Sequence, residues 1–300
     1  MKSFISIIHD YFIYYRYLYW QWCNRTHTNY LNSLKIMSRE ETIDYIVNNK
    51  CSISRYGDGE FLIMSGNRNG FQKENERLAE KLKEVFRNPI KNLLICIPSF
   101  LTDTSPLVLK SKIFSLGFNH SHLSDAVIPF VPTNILYGDS LLSRFYMNRK
   151  DKSYSNEYVN ILKKIWDKED LLIVEGKYSR LGVGNNLLDN AKSIKRILCP
   201  KENAFDRYDD ILKTVKNSYK GELVILALGI TATILAYDLS KQNIRALDLG
   251  HIDIEYEWLR IGAKKKVPIP HKQMSEIGGG DCTEESIDKT YLSQIIGEVI

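Results

Sequence analysis

From residue 155 onward, strand-like and helix-like segments alternate with little between them, and this constrains the fold most. SNEYVNILKKIWDKE (155–169) has helical periodicity and runs into the apolar strand LLIVEG (171–176). A loop, KYSRLGVG, leads to a predicted helix NNLLDNAK (185–192) and the strand RILCP (196–200). The helix FDRYDDILKTVKNSYK precedes ELVILALG (222–229), and TATILAYDLSKQ precedes IRALDLG (244–250). A last helix, IDIEYEWLRIGA, opens into a basic, proline-containing tail. Strands alternating with helices of this length read as βαβ units on a parallel sheet. The fold class is therefore α/β: a Rossmann-like, mostly parallel sheet flanked by helices. Such a sheet binds ligands outside the carboxyl ends of its strands.

The first half carries the same elements less regularly. SREETIDYIVNN (38–49) reads as a helix opened by a capping box, with Ser38 as N-cap and Glu41 three residues on. The short strand at 51–54 follows, then the turn SRYGDGEF (54–61). The polar stretch NRNGFQKENE (67–76) precedes a helix at about 74–87 with Leu78, Leu82, Val85 and Phe86 on one face. NLLICIPSF (92–100) reads as a buried strand, and Ser105-Pro106 opens a helix to about Leu116. The prolines in DAVIPFVP (125–132) mark an edge or irregular strand. YGDSLLSRFYMNRKDK (137–152) mixes aromatic and basic residues, and Arg144, Arg149 and Lys150 read as a solvated face or as contacts for phosphate or sugar.

One large single domain at 38–300 is expected, preceded by an extra aromatic N-terminal helical segment at 1–37. FISIIHDYFIYYRYLYWQW (4–22) is apolar and rich in the chain's 18 tyrosines, but His9, Asp10 and Arg16 interrupt it. It lacks a signal peptide's clean apolar core and cleavage site, and its uninterrupted pieces fall well short of the roughly 20 residues of a spanning helix. Tyr and Trp suit the membrane–water interface, so one reading is a helix lying on the inner face of the plasma membrane. The other is a helix packed on the domain or on a second subunit of a homo-oligomer. The five cysteines are scattered and never form CxxC, which argues against disulfides and zinc and for a reducing, cytoplasmic setting. The net charge of +5 is mild and spread along the chain, which does not mark a nucleic-acid binder.

Chemistry is expected at the strand ends. Arg55, Asp58 and Glu60 fall within six residues on a glycine-flanked turn. Two carboxylates one residue apart there can converge on a hard cation such as Mg²⁺ or Mn²⁺, while an ordinary Asp-Gly surface turn is the other reading. After LLIVEG come Glu175, Arg180, Gly182, Gly184 and Asn185, placed to cradle a phosphate at the start of the next helix. Leu187 stands where the third glycine of a dinucleotide fingerprint would be. Gly229, Thr231 and Thr233 mark another phosphate or ribose turn, or a simple Gly turn with a Thr cap. Asn203 and Phe205 are placed either to receive a nucleobase or, for Phe205, to staple the next helix. His251, Asp253 and Glu255 follow the strand at 244–250: Asp253 or Glu255 is placed to act as general base towards an acceptor hydroxyl, and His251 is either a structural histidine or part of that catalytic edge. Carboxylates in a first helical turn also suit the helix dipole.

RYGDGE, VEGKYSRLGVGNNLLDNAKSIKRILCP, NAFDRYD, ALGITATILAYDLS and DLGHIDIEYEW, in this order, resemble the GT-D type bacterial glycosyltransferases. The best-known members glucosylate serine-rich repeat adhesins, and relatives occur in surface-polysaccharide clusters. The resemblance runs from about residue 38 to about 270 and leaves out the aromatic segment. It implies a Rossmann-like sheet, a nucleotide-sugar donor, usually UDP-linked, a glycan acceptor on a lipid carrier or protein, and a divalent metal, Mn²⁺ or Mg²⁺, on an Asp-x-Glu motif. That motif reads here Asp58-Gly59-Glu60, and on this reading the neighbouring Arg55 neutralises phosphate charge. The rival readings are a non-catalytic subunit that binds a nucleotide-sugar or a partner transferase, and another nucleotide-dependent transferase on a similar sheet.

Overall fold

The structure is a computed structural model describing residues 4–66, 75–274 and 277–300. Residues 67–74 of the polar stretch lie outside the described residues. Nine strands among the described residues form one sheet. They are β1 (Lys35–Ile36), β2 (Ser52–Arg55), β3 (Leu93–Ile97), β4 (Leu136–Asp139), β5 (Asp170–Gly176), β6 (Ser193–Cys199), β7 (Leu223–Ala227), β8 (Ala246–Asp248) and β9 (Ile295–Glu298). Their spatial order is β1-β4-β3-β2-β8-β7-β5-β6-β9, and every neighbouring pair is parallel.

Parallel strands covered on both faces have no solvent side, so their sequences are apolar throughout rather than alternating. LLICI in β3 is buried at all five positions, and Ile173 of β5 registers with Ile225 of β7. The helices α1 (Phe4–Cys23), α2 (Arg25–Ser33), α3 (Arg39–Asn49), α4 (Asp58–Met64), α5 (Glu76–Arg87), α6 (Leu109–His122), α7 (Ser155–Lys163), α8 (Tyr208–Ser218), α9 (Ile230–Ser240), α10 (Ile252–Arg260) and α11 (Lys289–Gln294) surround the sheet. Phe61 of α4, Leu82 of α5, Phe118 of α6, Ile211 of α8 and Ile234 of α9 share the core on one face. Ile46 of α3, Tyr158 of α7 and Trp258 of α10 share the core on the other. Trp258 is fully buried with its Nε1 donating to the Val267 carbonyl at 2.9 Å, so its large ring carries no orphaned donor.

The capping box at Ser38 forms as expected. The Glu41 nitrogen donates to Ser38 Oγ, and the Ser38 nitrogen to Glu41 Oε2. The aromatic segment is a 20-residue helix, α1, none of whose residues is fully buried. Among the described residues, no helix is long and apolar enough to cross a membrane.

Four expectations fail. Residues 185–192 form turns, not a helix. Asn185 Oδ1 accepts from the Leu187 nitrogen at 3.0 Å, a local side-chain bond that competes with helix formation. The expected strand at 125–132 is replaced by a wide turn of helix at Leu123–Val127, and the strand beside β3 is LYGD, β4, within the stretch read only as mixed. The C-terminal tail contains α11 and β9, and β9 extends the sheet beside β6.

The chain leaves β2 towards β3 on one side, and leaves β8 for β9 at the far edge on the other. Likewise β5 leads to β6, while the adjacent β7 leads to β8. Connections departing in opposite directions open a crevice at the carboxyl ends of such neighbours. The pairs β2/β8 and β5/β7 therefore locate the candidate sites.

Candidate active site

At the β2/β8 crevice, Arg55 ties three strands together. Its Nε donates to the Asp248 carbonyl at 2.6 Å and its Nη2 to Asp248 Oδ1 at 2.9 Å. Its Nη1 donates to Ser143 Oγ at 2.8 Å and to the Ser140 carbonyl at 3.1 Å, just beyond β4. The Thr233 hydroxyl of α9 lies 2.9 Å from the Arg55 carbonyl oxygen and 3.3 Å from Asp248 Oδ2. Burial raises the Asp248 pKa, and Arg55 opposes the rise. Arg55, expected to meet phosphate, thus holds the site's floor.

This packing explains Gly250. Its φ is +48°, and a Cβ there would lie 2.2 Å from Arg55 Nη2, a group fixed by Asp248. Gly250→Ala is expected to cost about 2 kcal/mol of stability, from left-handed strain and a displaced guanidinium. Urea unfolding checks this, and an unchanged midpoint would show that the guanidinium moves aside freely.

Asp58 and Glu60 occupy the first turn of α4, immediately after β2. Glu60 Oε2 accepts from the Gly57 nitrogen at 2.8 Å, so the turn is closed by one of the two carboxylates. Burial lifts the Glu60 pKa to about 7, and the nearby charges of Asp248 and Asp58 add to the lift. A carboxyl held there by burial and like charge is relieved when a cation replaces its proton. The donors are oxygens, which suit Mg²⁺ or Mn²⁺ rather than a softer metal. Among the described residues, no group of three or more His, Cys, Asp or Glu side chains is placed to hold a metal unaided.

The β5/β7 crevice is built differently from expectation. Glu175 is fully buried: its Oε1 accepts from Arg196 Nη1 at 2.6 Å and its Oε2 from the Leu181 nitrogen at 2.7 Å. Arg180 is also buried, with Nη1 donating to the His271 carbonyl at 2.7 Å and Nη2 to the Glu284 carbonyl. The Gly182 nitrogen donates to Asp253 Oδ1 at 2.9 Å. Asn185 Nδ2 bridges Asp253 Oδ1 at 2.8 Å and Glu257 Oε1 at 2.6 Å. With no helix after Gly184, the expected phosphate cradle is absent, and the loop is instead pinned to α10 and the tail. Gly184 keeps open space where a Cβ would stand.

The proposed bases are similarly engaged. Lys272 Nζ lies 2.5 Å from Asp253 Oδ2 in a buried pair. Glu255 Oε2 accepts from the nitrogens of Tyr146 and Met147, both at 2.8 Å. Both carboxylates brace the fold, and of the three candidates only His251, at the start of α10, keeps partial exposure. Phe205 is buried with its ring 5.3 Å from that of Tyr208, the stapling alternative, and Asn203 precedes it in the left-handed region. Gly229 caps α9 with φ +56°, and Thr231 follows in the first turn, wholly buried. Its hydroxyl is without a hydrogen-bond partner among the described residues. A cavity of about 600 Å³ lies beyond α10, lined by Arg180, Val183, Glu257, His271, Lys272 and Ile287 among others.

Sequence reasoning overlooked Asp248 and Lys272. Asp248 was findable, since it lies near the end of a predicted strand, two residues before its closing glycine. Lys272 sits in an irregular tail with no periodic signal.

The family model described as the glycosyltransferase GT-D fold matches residues 53–277. Among curated proteins, glycosyltransferase GlyD of Streptococcus pneumoniae serotype 4 is 35% identical over 274 residues, covering 90% of this chain and 33% of that protein. A probable glycosyl transferase Gly of Streptococcus gordonii is 36% identical over 268 residues, covering 89% of this chain and 39% of its own length. The chain thus spans between about a third and two fifths of the length of these relatives. A solved domain of unknown function 1792, described as having a distinct glycosyltransferase fold, is 36% identical with a TM-score of 0.81, covering 91% of this chain and 98% of that one. A glycosyltransferase of the same domain type from Streptococcus sanguinis is 35% identical with a TM-score of 0.81, covering 89% and 100%.

Proposed function

This chain belongs to the glycosyltransferase GT-D fold family, and on that premise we propose that it moves a sugar from a nucleotide-sugar donor, UDP-linked, to a glycan acceptor in bacterial surface-polysaccharide or glycoprotein synthesis. The reading rests above all on one observation. Asp58 and Glu60 stand beside Asp248 at the carboxyl ends of β2 and β8, with Glu60 lifted to about 7 by burial and by its neighbours' charge.

Asp58 and Glu60 would hold Mn²⁺ or Mg²⁺. Such an ion, when bound, neutralises charge on the diphosphate leaving group. Arg55 and Thr233 fix Asp248 behind the two ligands, so the carboxylates are oriented before substrate arrives. The start of α9, opened by Gly229 beside the buried Thr231 hydroxyl, suits the donor's phosphate or ribose oxygens. His251, partly exposed at the β8 end, is the remaining candidate to take a proton from the acceptor hydroxyl. Asp253 and Glu255 hold the walls instead of the proton.

Calorimetric titration of UDP with Mn²⁺ and with EDTA tests the donor assignment. Binding that needs the metal is expected, followed by transfer of labelled sugar to a lipid-linked or protein-linked glycan. Equal binding in EDTA would remove the metal from the account. Donor binding without turnover across an acceptor panel would favour a non-catalytic subunit.

A further inference from the structure

Helix α1 packs on α6 by one side only. Tyr17 and Trp20 meet His120, with ring centroids 5.4 and 4.5 Å apart, and Lys112 Nζ lies 5.8 Å from the Tyr14 ring centre. Ile8, Phe12, Tyr15, Tyr19 and Trp22 recur at helical spacing on the opposite side and are exposed, Phe12 at 66% and Trp22 at 72%. We propose that this face lies on an anionic lipid bilayer and so presents the carboxyl edge of the sheet to a lipid-borne acceptor. The second half of that statement rests on the glycosyltransferase reading above.

Three observations favour lipid over a second protein surface. The exposed side is aliphatic and phenylalanine-rich towards its start, at Phe4, Ile5 and Ile8, and becomes tyrosine and tryptophan towards its end. Tyr and Trp combine an apolar body with a polar edge, which matches the headgroup level. The surrounding charge is one-sided: Arg16, Arg25, Lys110 and Lys112 stand on α1, α2 and α6 against the single acid Asp10. This net positive charge on and beside the helix is complementary to anionic headgroups. Finally, the helix is too polar to span, which leaves lying in the interface as its membrane mode.

The orientation also fits. Lys112 lies beside Tyr14 and His120 beside Trp20, so α1 and α6 run in the same direction. The start of α6 is on the carboxyl side of the sheet, because the Val108 nitrogen donates to the Asn148 carbonyl in the segment that leaves the carboxyl end of β4. The first turns of α1 therefore extend on the side that carries Asp58 and Glu60.

The test is co-sedimentation of the full chain with phosphatidylcholine vesicles, with and without phosphatidylglycerol. Binding that requires phosphatidylglycerol and weakens with salt is expected. F12S combined with W22S, both at exposed positions, should lower the bound fraction about tenfold or more, and K110E with K112E should do likewise. A chain that stays in the supernatant with both vesicle types overturns the proposal. So does an oligomer in analytical ultracentrifugation that F12S/W22S dissociates without any vesicle binding, since the face would then belong to a second copy. Sugar transfer to a soluble acceptor should be unchanged by either double variant. If vesicles bind but no sugar is transferred to any acceptor, the enzymatic reading falls and the lipid surface stands.

Discussion

Asp58→Asn should lower sugar transfer by about 100-fold or more while leaving the unfolding midpoint near that of the natural chain. Asp58 stands in the first turn of α4, and the hydrogen bond that closes the turn comes from Glu60 instead. On the proposed assignment, removing the Asp58 charge takes away a metal ligand and leaves the bond that closes the turn in place. Glu60→Gln separates the two roles further, because a glutamine oxygen can still accept from the Gly57 nitrogen. Glu60 is lifted from its ordinary 4.5 to about 7. The folded chain thus holds more protons than the unfolded chain between those values, and this group's contribution to stability falls as pH rises through that window. Glu60→Gln, which carries no charge to bury, should raise the metal-free melting temperature at pH 8, with the gain gone by pH 4.5. Mn²⁺ affinity of the natural chain should weaken about tenfold per pH step below 7, since the ion must displace the Glu60 proton. Calorimetry and thermal scans at several pH values measure both. A pH-independent Mn²⁺ affinity together with full activity of Asp58→Asn would remove this pair from the donor site.

What could be read from the sequence follows the range of the forces involved. The strands LLICI and LLIVEG were legible because burial on both faces leaves a continuous apolar run. The Ser38–Glu41 cap was legible because its partners are three residues apart. Asp58 and Glu60 were legible as a pair, but Asp248, which helps set the charge environment of Glu60, enters only when β8 docks on β2. β4 and β9 were missed because four-residue segments such as LYGD and IIGE acquire strand character from the neighbour they pair with. The side chains of Glu175, Arg180, Asp253 and Glu255 were the least legible. Strand-end position puts them at the carboxyl edge of the sheet. Whether such a side chain turns outward or inward depends on distant donors such as Arg196, Lys272 and the Tyr146 nitrogen, and no local pattern encodes those.

Arg196→Met should be among the most destabilising single changes in the chain, at about 3–5 kcal/mol. Arg196 and Glu175 are 2% and 0% exposed at the side chain and meet at 2.6 Å. Arg196 Nε also donates to Gln294 Oε1 at 2.8 Å, tying α11 to the sheet. Burial alone pushes the Glu175 pKa up, and Arg196 is the main opposing influence. Without the guanidinium, Glu175 would keep the Leu181 nitrogen but lose its counter-charge, and would take up a proton instead. The loss should therefore be larger at pH 8 than at pH 5, where protonation is easier. Glu175→Gln combined with Arg196→Met should recover a large part of it, because no buried charge then remains. Urea unfolding at both pH values decides the matter, with the slope checked for constancy. A single-variant loss below about 1 kcal/mol would mean that water reaches Glu175. In that case the loop from Leu181 to Asn185 would be open enough to receive a ligand, and the phosphate role expected of this strand end would return.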